Sequence, residues 1–109
     1  INISAFIGLS AEGSSIAHAT TKAGLIHLNR CLASALAPDV KVNSIAPGLM
    51  EGTVMFEKIS AEAVEAGRQR AKLNRHTSLE DVADQVLTFC RAESVTGQVL
   101  VIDGGIVFH

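Results

Sequence analysis

The chain contains no tyrosine. No phenolic hydroxyl is therefore available anywhere in it as a general acid or base. Positive charge is also sparse: nine Lys and Arg stand against eleven Asp and Glu, for a formal net charge of -2. The basic residues are scattered, which excludes the charged stripe of a nucleic-acid or anionic-membrane binder. No apolar run reaches the roughly 18 residues that a bilayer-spanning helix needs. The N-terminus shows no basic region leading into an apolar core, so no secretory signal is expected. Cysteine is limited to Cys31 and Cys90, too far apart for the paired spacing of a metal site or disulfide framework. Both lie in apolar helical patterns, and the expectation is reduced core thiols in a cytoplasmic protein.

What is present argues for a folded domain. Apolar residues make up 48% of 109 residues and charged residues 18%, outside the range of disorder. "INIS", residues 1–4, reads as the end of a buried strand, and "SAFIGLSAEGSS" has loop composition. From about Ser15 to Ala37 runs a long helical pattern closed by Pro38. Its apolar residues cover more than one stripe, so it is expected to be buried on most sides, within its own domain or against another subunit. "VKVNSIA", Val40 to Ala46, alternates as a strand does. Residues 60–73 read as a polar helix with Ser60 as N-cap. "HTSLEDVADQVLTFCRAE" reads as a clearer helix, with Ser78 and Asp81 as a capping box. "GQVLVIDGG" is a strand ending on a Gly-Gly turn. The order strand, helix, strand, helix, helix, strand specifies an α/β fold with a parallel sheet and crossover helices. Three strands leave long open edges, and the chain opens inside a strand, so a fragment of a larger sheet is expected.

These pieces form an ordered set: "NIS", Gly8, a helix with a residue-xxx-Lys pair, "VNSIAPG", and "TGQVLVIDGG". Together they resemble the C-terminal half of a short-chain dehydrogenase/reductase, over nearly the whole chain. The resemblance implies that residues 1–109 are the C-terminal part of one Rossmann-like domain, holding only its last three strands. It implies NAD or NADP as cofactor, with the pyrophosphate loop in an N-terminal half. No G-x-G-x-x-G occurs in these residues. A small alcohol or carbonyl compound is the implied substrate.

In the family, a Tyr and a Lys four residues apart on one helix face carry the proton transfer. The lysine corresponds to Lys22 and the tyrosine to His18. Imidazole is a competent acid or base. Its ring is shorter than a phenol, and an ammonium one turn away disfavours a second positive charge. His18 is thus expected to serve better as a base for oxidation than as an acid for reduction. The family's serine, thirteen residues before the Tyr, corresponds to Ala5. Ser4 is adjacent but should point to the opposite face. Ser10, Ser14 and Ser15 could reach inward, and the sequence favours none of them.

"PGLMEGT" resembles the loop that contacts the nicotinamide. Pro47 and Gly48 would set a tight turn and let the backbone approach the ring. The family's Thr position is Gly52 here, with Thr53 one later as its substitute. Leu49 to Leu73 would cover the substrate, with Leu49, Met50, Val54, Met55, Phe56 and Ile59 as an apolar wall. Asn43 reads as structural, and Asp103-Gly-Gly as a turn that closes the last strand. His27, His76 and His109 lack the spacing of a zinc site, so no metal is expected.

Two functions remain open. One is an NAD(P)-dependent oxidoreductase using His18 and Lys22, with Lys22, Pro47, Gly48 and Thr53 on the cofactor. The other is a non-catalytic subunit or pseudoenzyme that pairs with an active homologue through residues 15–37.

Overall fold

A computed structural model describes all residues from Ile1 to His109. The strands are β1 (Asn2–Ile3), β2 (Ser44–Pro47) and β3 (Val99–Ile102). The helices are α1 (Ile16–Ala35), α2 (Val54–Glu57), α3 (Ala61–Arg70) and α4 (Leu79–Arg91). A 3-10 turn at Phe6–Leu9 follows β1. The strands form one parallel sheet in the order β1-β2-β3, with Asn2 opposite Ser44 and Ser44 opposite Val99. β2 is central and buried throughout, and β1 pairs on one edge only. No helix is long and apolar enough to cross a membrane.

Local chemistry sets the helix starts. Ser15 accepts the His18 N–H at 3.1 Å, and Ser60 accepts the Ala63 N–H at 3.2 Å. Ser78 accepts the Asp81 N–H at 3.1 Å, while its own hydroxyl turns to Glu80 at 3.0 Å. The capping box thus forms its serine arm. Thr53 caps the short α2, which periodicity does not reveal, by accepting the Phe56 N–H at 3.2 Å.

The second strand is shorter than the alternation implies. Pairing begins at Ser44, and Val40 to Asn43 lie outside the ladder. The Val42 N–H is taken instead by Thr96 Oγ1 at 3.0 Å, and its carbonyl by Gly97 N at 2.7 Å. Asn43 is structural, as expected. Its amide donates to Val95 O at 2.8 Å and its Oδ1 accepts from Gln98 N at 3.0 Å.

Only fifteen residues are buried, so the core is small. The part of α1 that meets the sheet is one stripe: Ile26, Asn29 and Ala33. Asn29 joins the two edges of the sheet, accepting from Asn2 and donating to Gln98 O, each at 3.2 Å. Away from the sheet and the 3-10 turn α1 is bare, with Ile16 88% and Leu28 48% exposed. Cys31 and Cys90 are both free and exposed, which corrects the expectation of core thiols. Their helices are apolar on faces that this chain leaves uncovered.

Candidate functional site

The C-terminal ends of all three strands open on one side, as parallel topology requires. β1 runs into Ser4, Ala5 and the 3-10 turn. β2 runs into Gly48, and β3 into Asp103. A cleft of about 380 Å³ lies there. It is lined by Ala5, Phe6 and Ile7, by Gly13, Ser14 and His18, and by Pro47, Gly48 and Leu49. Across from them stand Met55, Ile59, Ala63, Gly67 and Arg70, with Arg75, His76, Thr77, Asp103 and Ile106 completing the wall.

Each turn is held by identifiable bonds. The Asp103 carboxylate is buried and accepts the N–H groups of Gly105, Ile106 and Val107 at 2.8, 3.1 and 2.8 Å. Gly104 and Gly105 turn away from β3 with φ of +71° and +82°, a region that favours glycine. The Asp103-Gly-Gly turn therefore closes the last strand, as its composition implies. The Thr77 hydroxyl donates to Ile102 O at 2.7 Å and accepts from Gly48 N at 3.1 Å, joining β3 to the turn after β2. A β-carbon on Gly48 would stand 2.8 Å from Thr77 Oγ1. The missing side chain at Gly48 thus makes room for Thr77.

The expected site residues divide. His18, Pro47 and Gly48 line the cleft together with Ala5. Lys22 does not line it; its Nζ donates to Ile3 O at 3.2 Å. Thr53 is also outside the lining, donating to Met50 O at 2.9 Å. Ser4 is buried and turned into the sheet, where its hydroxyl donates to Ile45 O at 3.1 Å and accepts from Ser44 at 2.9 Å. Of the expected apolar wall, Leu49, Met55 and Ile59 line the cleft. Val54 is 68% exposed, and Phe56 packs edge-on against His76 with centroids 5.3 Å apart.

Sequence reasoning missed the charged part of the cleft. Arg70 is ion-paired with Glu12, whereas Arg75 has no ion pair. His76 joins them, and its Nε2 is buried without a hydrogen-bond partner. These residues come from the end of α3 and the loop after it. No spacing rule connects them to His18. The one signal in the sequence was the position of Arg70 inside the segment read as the substrate cover; Arg75 and His76 lie just beyond its end.

The groups present fit the nicotinamide end of a dinucleotide. Lys22 keeps two of its three N–H donors after bonding Ile3, enough for ribose hydroxyls. Thr53 keeps one acceptor lone pair for a carboxamide N–H.

A family model described as "Enoyl-(Acyl carrier protein) reductase" matches residues 1–107. A 3-oxoacyl-[acyl-carrier-protein] reductase of Aquifex aeolicus is 39% identical over 108 residues, covering 96% of this chain and 43% of that protein. The short-chain dehydrogenase/reductase homolog YusR of Bacillus subtilis is 31% identical, covering 96% of this chain and 80% of that protein. A short-chain dehydrogenase of Leptospira borgpetersenii, solved with bound NAD+, superposes with a TM-score of 0.86 at 30% identity. That match covers 98% of this chain and 43% of the other. The chain thus spans under half the length of the reductase and of the solved dehydrogenase. Its parallel sheet is the C-terminal portion of a Rossmann-like fold, and the chain belongs to the short-chain dehydrogenase/reductase family.

Proposed function

We propose that the polypeptide carrying this chain is an NAD(P)-dependent oxidoreductase that moves hydride between nicotinamide and an alcohol/carbonyl pair. The observation that carries this reading is the single cleft, at the C-terminal ends of the strands, that gathers Ala5, His18, Pro47 and Gly48. A bound nicotinamide supplies or accepts the hydride. This chain's residues do the rest. His18 handles the proton at the substrate oxygen. Lys22 and Thr53 hold ribose and carboxamide, and the turn at Pro47 and Gly48 borders the ring. Leu49, Met55 and Ile59 give the substrate an apolar wall. The reductase from Aquifex aeolicus supports a 3-oxoacyl thioester as the substrate to try first.

The alternative is a non-catalytic subunit paired with an active homologue. The bare apolar faces of α1 favour it, because Ile16, Leu28 and Leu36 need a cover that this chain does not provide. Residues 15–37 are the contact in either a homo- or a hetero-oligomer. The exposed free cysteines suit a reducing compartment, and the cytoplasm is part of the proposal.

The test is hydride transfer by the full-length natural polypeptide, followed as nicotinamide absorbance with 3-oxoacyl thioesters and simple ketones. Turnover that falls at least about a hundredfold in His18→Ala supports the enzyme. Cofactor binding without turnover, together with co-purification of a tyrosine-containing homologue, supports the subunit. Absence of cofactor binding sinks the enzyme reading.

A further inference from the structure

Ala5 removes the hydroxyl that the family places beside the proton-transfer residue, and three loop serines are available to replace it. The structure separates them. Ser15 is committed to capping α1, where it accepts the His18 N–H. Ser10 has its hydroxyl buried without a partner, in a different depression beside Gly8 and Ala19. Ser14 alone of the three lines the cleft, and its Oγ lies 3.1 Å from Nδ1 of His18.

Resting on the oxidoreductase reading, we propose that Ser14 is a positioning residue that replaces the missing hydroxyl by setting the tautomer of His18. The geometry is local. Ser14 immediately precedes the cap residue, and His18 lies in the first turn of α1, four residues on. Nδ1 is the only partner that the Ser14 hydroxyl has in the chain. In this proposal the Ser14 hydroxyl donates to Nδ1, and a neutral ring that accepts at Nδ1 carries its hydrogen at Nε2. His18 then faces the cleft as a hydrogen-bond donor to a substrate oxygen. The expectation from sequence was a ring better suited as a base. The Ser14 bond assigns it the donor role.

The proton balance follows from this arrangement. When a product alkoxide forms in the cleft, its oxygen takes the proton from Nε2. Nδ1 takes the proton of the Ser14 hydroxyl as the O–H bond breaks. Ser14 is exposed, so bulk water returns a proton to it and is left as hydroxide. The ring ends neutral with its hydrogen at Nδ1, and exchange with water restores the starting tautomer. Arg70, Arg75, His76 and Asp103 border the same cleft. None of them is bonded to the imidazole, so Ser14 is its one side-chain partner.

The test is nitrogen-15 NMR of histidine-labelled, full-length polypeptide, with the His18 signal assigned through His18→Gln. The expected result is an Nε2–H tautomer in the wild type, a mixture in Ser14→Ala, and recovery in Ser14→Thr. Ser14→Ala should also lower kcat about tenfold with KM unchanged. Thermal midpoints should stay level, because Ser14 caps nothing. A His18 tautomer that is the same in wild type and Ser14→Ala overturns the proposal. A wild type that turns over no carbonyl substrate while Ser14 still sets the tautomer overturns the oxidoreductase reading and leaves the positioning role standing.

Discussion

Gly8 lies flat against the backbone of Lys22. A β-carbon there would stand 2.7 Å from the Lys22 carbonyl carbon and 2.8 Å from the Ala23 nitrogen. The 3-10 turn after β1 is thereby seated on α1, on the turn that carries Lys22. Gly8→Ala should force helix and turn apart, because the opposing atoms are backbone. The expected cost is about 1–3 kcal/mol. Urea unfolding should show a lower midpoint with an unchanged slope.

Asp103 organises the end of β3 through three backbone N–H groups. Asp103→Ala would leave those donors without a partner in a half-buried turn. A loss of at least about 2 kcal/mol is expected. Asp103→Asn keeps one carbonyl oxygen and can still accept from Gly105 and Ile106, so its loss should be the smaller of the two. Thermal unfolding of the three proteins measures the order.

Thr77 joins Ile102 O to Gly48 N through one hydroxyl. Thr77→Ser preserves that bridge. Thr77→Val keeps the shape and removes both bonds, for a cost of about 1–2 kcal/mol. Because Gly48 lines the cleft, the valine variant should also change the amide chemical shift of Gly48, and the serine variant should not.

Glu65 offers a pH prediction. Hydrogen bonds from the Arg68 and Gln69 side chains lower its carboxyl from 4.5 to about 2. The folded form therefore holds its proton less tightly than the unfolded chain. The contribution to α3 is complete above about 4.5 and disappears as pH falls through about 2. Carbon-13 NMR titration of the Glu65 carboxyl should find the low midpoint, and Arg68→Gln should move it upward. A midpoint near 4.5 in the wild type would refute the Arg68–Glu65 contact.

Oligomer formation through α1 has a direct test in Leu28→Glu. Leu28 is 48% exposed, so a carboxylate there is tolerated in a lone chain. Across a subunit contact it would be desolvated and disruptive. Sedimentation of the full-length polypeptide should shift to a smaller species with little change in helix content.

The sequence by itself determined the features that depend on near neighbours. Ser60 and Ser78 start helices because a serine hydroxyl reaches an N–H three residues on, whatever the rest of the chain does. The alternation of strands and helices follows from hydrophobic period and imposes a parallel sheet. The placing of His18 and Lys22 on adjacent turns follows from helix pitch alone. The tertiary structure decided what depends on distant segments. It left Cys31 and Cys90 in solvent, because a helix pattern records which faces are apolar and not which are covered. It began β2 at Ser44, because Thr96 and Gly97 take the backbone groups of Val42 first. It placed Ser14, and not Ser10 or Ser15, at the cleft, and it brought Arg70, Arg75 and His76 across to His18. Those residues lie more than fifty positions apart in the chain. Only the closing of the sheet and the course of the chain through α3 and the loop after it could place them in one cleft.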